Sequence, residues 1–303
     1  RAVSVPSKKS TALAPASSPA EASFGGAAAA HAPVVASGPG AAKNFCERAG
    51  ALEVRLAETQ ADVAACQQLR HAVFVEEMAG LTSGLVGARD VDRFDDHADH
   101  LMVVDTAAPG GARVVGTYRL LRQEVAAVRG GFYTAQEFDI DGVIAKAPQG
   151  TRFLELGRSC VHKQYRTRPT INMLWRGIGL YVAMHSVDVM FGCASFPGTD
   201  PAQHRLPLSF LYHRFLAPEP WRVHALADRH VEMNTMEASA MSEREAFRAL
   251  PALIRGYVRV GCVFGDGAVI DPELKTVDVL VMSIIADVQD KYYARFSADD
   301  RSA

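Results

Sequence analysis

The sequence predicts an α/β fold, a mixed sheet flanked by helices, and three observations predict it. Runs of β-type residues with period-two or continuous apolar patterning alternate with two long stretches whose apolar residues recur at helical spacing. A glycine- and proline-bearing spacer, "AAPGG", separates two of the β-type runs as a hairpin turn would. A chain of 303 residues, 49% of them hydrophobic and with a formal net charge of −2, has enough apolar mass to bury a large core. That charge balance argues against a dedicated nucleic-acid binder, which needs a net basic surface. The apolar run "TVDVLVMSII" is well short of the ~20 residues that cross a bilayer.

Residues 1–44 are rich in Ala, Ser, Pro and Gly and nearly lack large apolar groups, so we expect a disordered tail. A single domain is expected over 45–296, with a C-terminal helix–strand extension, and a short tail over 297–303. "LEVRLAET" reads as a first strand. "ADVAACQQLRHAVFVEEM" then places Val63, Cys66, Leu69, Val73 and Phe74 near helical spacing. "HLMVVDT" and "ARVVGTYRLLR" flank the hairpin spacer, and "RFLELGRSCVH" is a fourth strand. In "INMLWRGIGLYVAMHS", Ile171, Leu174, Trp175, Ile178 and Val182 line one helical face, and the strand "VDVMFGCASF" follows. Ser242 with Glu245 forms a capping-box signal, continued by "AFRALPALIRGYVRVG", where Arg255 and Arg259 share a face for an acidic carrier, a lipid headgroup or solvent. "TVDVLVMSII" is a closing strand interrupted by Asp278.

Five cysteines are scattered without a CxxC pair, which fits a reducing cytoplasm better than a disulfide framework. Cys160 and Cys193 read as small buried hydrophobes. The acids of "RDVDRFDDHADH" suggest calcium at first sight. The EF-hand pattern, however, needs Gly at its sixth position and Glu at its twelfth, where this chain has Asp95 and Leu101. His97 and His100 have no matching ligand set, so no metal site is expected. The acids otherwise read as a solvated loop before a strand.

The stretch "FLELGRSCVHKQYRTRPTINMLW" joins a strand to a helix through a basic turn. A helix N-terminus with Arg166 and Arg168 before it can receive a phosphate, and a solvated basic loop is the other reading. Glu155 and Arg158 lie three apart, so a regular strand would put them on opposite faces. A bulge or an inter-strand partner must reconcile them.

"LRHAVFVEE", "DRFDDHADHL", "VVGTYRLL" and "LELGRSCV", in that order, resemble the acyl-carrier-protein-dependent branch of the N-acetyltransferase-like superfamily. That branch includes the acyl-homoserine-lactone autoinducer synthases and the bacterial acyltransferases that make lyso-ornithine lipid. "FGCASFPGTDP", "LPLSFLYHRFLAP" and "LPALIRGYVRVGCVFGDGAVIDPELKTVDVLVM" look like the second group. The resemblance implies an autoinducer-synthase-like fold and transfer of a 3-hydroxyacyl chain from acyl carrier protein to the α-amine of L-ornithine. It implies a cytoplasmic enzyme, with peripheral contact at the inner membrane face as a further expectation. No cofactor of its own is implied, because the carrier protein brings the phosphopantetheine. Glutamine or another amino acid as acceptor, an autoinducer synthase, and a non-catalytic carrier- or lipid-binding module remain open.

Coenzyme A enzymes of the superfamily usually carry a glycine-rich turn around the pyrophosphate, and "QYRTRPTI" has no glycine. A single phosphodiester clamped by Arg166, Arg168 and Thr170 suits this turn better. By the same resemblance, Arg70, Asp92, Asp95, Arg119 and Glu155 form a buried charge network, with Phe74 and Arg158 also facing the substrate. Glu155 is the candidate general base, and its other reading is a structural partner for Arg119 or Arg158. Ornithine needs a carboxylate for its side-chain cation and an arginine for its α-carboxylate, which Asp92, Asp95 and Arg119 could supply. An α-amine with a pKa of about 8 costs about 1.4 kcal/mol to deprotonate at pH 7, against about 4.6 for a lysine-like amine. The α-amine is the easier nucleophile.

Overall fold

The β-type runs pair into one sheet because each is apolar on at least one face and can bury that face only against helices. The computed structural model describes residues 45–78 and 87–286. The tails expected over 1–44 and 297–303 lie outside these. Among the described residues the strands are β1 (Cys46–Ala49), β2 (Leu52–Leu56), β3 (Asp99–Asp105), β4 (Arg113–Arg122), β5 (Phe153–Val161), β6 (Val189–Pro197), β7 (His230–Val231), β8 (Val263–Asp271) and β9 (Thr276–Ile284). Their order is β1-β2-β3-β4-β5-β6-β9-β8-β7, antiparallel throughout except for the parallel pair β5–β6. This is the mixed sheet the sequence predicts.

The first helix, α1 (Gln60–Arg70), starts where Thr59 accepts from the Asp62 N–H and the Asp62 carboxylate accepts in return from the Thr59 N–H. It runs on as a π-helix over His71–Met78. Two short helices, α2 (Gln123–Ala126) and α3 (Ile140–Lys146), lie in the excursion between β4 and β5. Helix α4 (Arg168–His185) buries Met173, Leu174, Ile178 and Tyr181 against Val54, Leu101, Leu120 and Leu154. Its buried stripe is rotated from the expected one, leaving Ile171 41% exposed, because Gly177 marks the line of closest approach. A Cβ there would stand 2.7 Å from Val54 and 2.8 Å from Leu101.

The same face of the sheet carries α5 (Arg205–Phe215), α6 (Glu243–Ala249) and α7 (Ala252–Arg259) over β6, β8 and β9. The expected single helix after Ser242 is two, because Pro251 lacks an N–H and holds Leu250 extended. Arg255 donates to the carbonyls of Arg248 and Leu250, and the Arg259 guanidinium lies 5.4 Å from the centre of the Phe247 ring. Arg255 is thus turned back onto the end of α6, whereas Arg259 stays exposed beside the Phe247 ring.

On the opposite face, α1 packs on β3 through Cys66, Met102 and Val104, and the 123–147 excursion covers β5, β6 and β9. Arg119, Glu155 and Asp278 all belong to this second face. Strand pairing sets Arg119 opposite Gly157, Glu155 opposite Phe191, and Asp278 opposite Ser195. Strands β5 and β6 pair only over Phe153–Glu155 with Val189–Phe191 and then separate. Gly192 makes the approach at that fork possible, since a Cβ would come within 2.2 Å of the Leu156 carbonyl oxygen.

Candidate active site

Three arginines and three aspartates meet beside the fork. Arg70, 1% exposed at the end of α1, holds the Asp95 carboxylate with two nitrogens, each at 2.8 Å, and Asp90 at 2.7 Å. Arg119 of β4 reaches Asp92 at 2.6 Å and Asp95 at 3.2 Å. Arg158 of β5 reaches Asp92 at 3.0 Å and Asp90 at 3.3 Å. The aspartates come from the loop before β3, which Phe94 pins to the core and Asp92 stiffens by accepting from the Phe94 N–H. Burial alone would raise the Asp92 carboxyl, but Arg119 and Arg158 outweigh it and hold it below its usual value. Asp95 is depressed strongly, with Arg70 prevailing over burial. The solvated-loop reading of these acids fails.

Arg158 joins this network through a bulge. Pairing steps from Arg119–Gly157 to Thr117–Cys160, so β5 carries one extra residue, and Arg158 adopts φ +49°. A non-glycine residue in that region is uncommon and is held there by its surroundings. Here these are Asp90, Asp92 and the Tyr133 ring, whose centre lies 4.9 Å from the guanidinium carbon. The bulge resolves the spacing conflict between Glu155 and Arg158.

Glu155 sits apart from the arginines. Its carboxylate, 2% exposed, accepts from the backbone N–H groups of Thr134 at 2.6 Å and Tyr133 at 3.1 Å. It has no ion pair among the described residues, so its reading as a partner for Arg119 or Arg158 is corrected. Burial raises its carboxyl above the ordinary value, and the Thr134 and Tyr133 hydrogen bonds and the Arg119 charge only temper this. A buried carboxylate of raised basicity, steadied by two N–H groups, can take a proton from an amine placed against it.

The remaining expected residues are placed less centrally. Phe74 lies on the π-helix and packs with Leu69, Val73 and Cys160. Arg168 opens α4, Thr167 gives that helix no side-chain cap, and Thr170 is buried with its hydroxyl 3.3 Å from that of Thr167. Arg166 is engaged: it holds Glu77 through two hydrogen bonds of 2.6 and 2.8 Å. The basic turn therefore carries less net charge than its composition implies.

Asp90, the peptide groups of Tyr133 and Thr134, and Glu77 were not among the expected site residues. Asp90 was visible as an acid beside Asp92. The peptide groups carry no residue-type signal. All five cysteines are free, and burial raises the Cys160 and Cys193 thiols, so neither is poised as a nucleophile.

A family model described as "Acetyltransferase (GNAT) domain" matches residues 69–176, which span the end of α1 through the first half of α4. Over 256 residues the chain is 44% identical to the L-ornithine N(alpha)-acyltransferase of Agrobacterium fabrum (strain C58 / ATCC 33970), covering 83% of this chain and 87% of that protein. It is 45% identical to the protein of the same name from Brucella abortus (strain 2308), covering 83% and 91%. Among solved structures, FeeM, an N-acyl amino acid synthase from uncultured soil microbes, aligns with a TM-score of 0.45 at 7% identity, covering 79% of this chain and 94% of that one.

Proposed function

The chain belongs to the L-ornithine N(alpha)-acyltransferase family, and from that premise we propose that it moves a 3-hydroxyacyl chain from acyl carrier protein to the α-amine of L-ornithine. The observation that carries the reading is the buried Glu155 carboxylate at the fork of β5 and β6, beside a self-neutralised arginine–aspartate network.

The acceptor amine attacks the thioester carbonyl carbon, Glu155 takes the amine proton, and the carbon–sulfur bond breaks. The leaving thiolate takes that proton back from Glu155, directly or through water, which restores the carboxylate, and no group of the enzyme is acylated. Arg119, whose charge reaches Glu155, is assigned to the acceptor's α-carboxylate. Arg70, Asp90, Asp92, Asp95 and Arg158 hold it in place. The phosphodiester of the carrier's own phosphopantetheine docks at the start of α4 near Arg168 and Thr170, with Arg166 available once it leaves Glu77; the enzyme supplies no cofactor. No helix among the described residues is long and apolar enough to cross a membrane. The product is an amphiphile, so contact with a membrane surface is part of the proposal.

Mass spectrometry of lipids from a host that lacks ornithine lipids and expresses this chain tests the reading. The expected product is 3-hydroxyacyl-ornithine with an α-amide. Acyl-homoserine lactone, another acyl amino acid, or no new lipid would overturn it.

A further inference from the structure

A second group of carboxylates lies on the same sheet face, outside the arginine network. Glu137, Asp271 and Asp278 are 3%, 4% and 3% exposed, and each has an oxygen within 4.8 Å of the others. Asp278 stands in β9 opposite Ser195. Asp271 ends β8 opposite Thr276, and Glu137 precedes α3. The cation within ion-pair distance among the described residues is Arg229, 3.6 Å from Glu137. Asp278 Oδ1 and the Thr276 hydroxyl, two residues apart on the same strand face, are buried without a well-formed hydrogen bond, and the nearby Thr276 and Ser195 hydroxyls only partly offset the burial of the Asp278 carboxyl. Such atoms are costly unless something supplies a partner.

A protonated carboxyl within the group is one source of a donor; a bound ammonium is another, and it brings a full charge and three N–H donors. Three oxygens no more than 4.8 Å apart fit around one nitrogen at roughly 2.8 Å, the length of a charge-assisted hydrogen bond. The group also adjoins Glu155. The Cys193 thiol lies 3.4 Å from Glu137 and 3.8 Å from the Thr134 hydroxyl, and the Thr134 N–H donates to Glu155. By contrast Asp92 and Asp95, the carboxylates expected from sequence for this role, are already held by Arg70, Arg119 and Arg158. A further cation would have to displace one of these.

We propose that Glu137, Asp271 and Asp278 form the subsite for the side-chain ammonium of a diamino-acid acceptor, one carboxylate for each of its three N–H donors. This rests on the reading of the chain as an ornithine acyltransferase. With the side-chain cation held here, the α-amine of the same molecule is directed to Glu155. Burial raises Glu137 to about 7, with the charges of Asp278 and Asp271 adding to the shift, and raises Asp278 to about 6, tempered by the Thr276 and Ser195 hydroxyls and increased by Asp271, so the empty subsite holds protons that the ammonium displaces.

The test compares kcat/KM for L-ornithine and L-norvaline, which keeps the carbon chain but lacks the side-chain amine, using the full chain and a 3-hydroxyacyl carrier protein. Wild type should prefer ornithine. Asp278→Asn and Glu137→Gln should each cut that preference about tenfold or more, through KM for ornithine, as expected for loss of a charge-assisted hydrogen bond. Asp271 is left intact because it also accepts from the Glu273 and Leu274 N–H groups that shape the β8–β9 turn. Melting curves confirm that the variants fold. A preference retained in both folded variants overturns the proposal, as does a preference lost in wild type on metal chelation, which would make the subsite a divalent-cation site. Wild type that acylates neither amino acid overturns the function itself, and the proposal with it.

Discussion

Two buried polar regions share one face of the sheet and differ in how their charge is balanced. In the first, Arg70, Arg119 and Arg158 meet Asp90, Asp92 and Asp95, and each side chain has partners of opposite sign. In the second, Glu137, Asp271 and Asp278 face one another with Arg229 at 3.6 Å. Burial acts on both, yet the carboxyls of Asp92 and Asp95 are lowered while those of Glu137 and Asp278 are raised. The difference separates a network whose charges are paired before any ligand arrives, so that Arg119 meets the acceptor carboxylate already anchored, from a buried acidic cluster that a cation completes. Glu155 lies between them, steadied by two peptide N–H groups and paired with neither.

The largest effect should come from breaking the compensated region. Arg70→Met leaves Asp90 and Asp95 buried with less counter-charge, and should cost about 3–5 kcal/mol of stability in denaturant unfolding. A loss below ~1 kcal/mol would mean that the network is solvated and merely superficial.

Gly192→Ala strikes the fork that joins the two regions. With a Cβ 2.2 Å from the Leu156 carbonyl oxygen, the strands must part, at a cost of about 1–3 kcal/mol. Thermal unfolding reads this, and a melting point equal to wild type would show that the fork is open enough to absorb a methyl group.

Stability against pH sharpens the comparison. A carboxyl whose folded value is raised stabilises the fold fully below its unfolded value, near 4, and loses that contribution as pH rises through the folded value. Glu137 and Asp278, at about 7 and about 6, should therefore make Tm fall between roughly pH 4 and 7 in the absence of acceptor. Asp92 and Asp95 act oppositely: their contribution is present above about 4 and is lost as pH falls through their depressed folded values. Asp278→Asn should flatten the decline toward neutral pH and leave the acid limb of Asp92 and Asp95 in place. A decline of the same slope in the variant would detach it from this group.

The smallest effect belongs to the exposed pair. Arg166→Ala removes the contact with Glu77, for which ~0–1 kcal/mol is expected, while KM for the carrier protein rises. An unaltered KM would free this turn from any part in donor docking.

The strands and α4 were legible because their apolar runs are long and their turns carry glycine. β1, β7 and β8 were not: "CERA" is mostly polar and exposed, β7 is two residues long, and "VFGDGAVID" is broken by a bulge where pairing steps from Phe264–Val281 to Ala268–Val279. The arginine–aspartate residues stood out as charges in ordered motifs, but which acid met which arginine depended on a bulge at Arg158 that spacing could only require. Asp278 was visible as a lone acid in an apolar strand. Its meaning needed Glu137 and Asp271, distant in sequence and adjacent only through β8–β9 pairing and the excursion before α3. The peptide N–H groups on Glu155 are backbone, which every residue has.

The account turns on Glu155 as the proton acceptor, and kcat against pH for wild type and Glu155→Gln, with a melting curve for each, tests it most directly. The account predicts a folded variant whose kcat falls about 10²- to 10⁴-fold at neutral pH and recovers in part as alkaline pH supplies neutral amine. A folded variant with wild-type kcat across the range would contradict it.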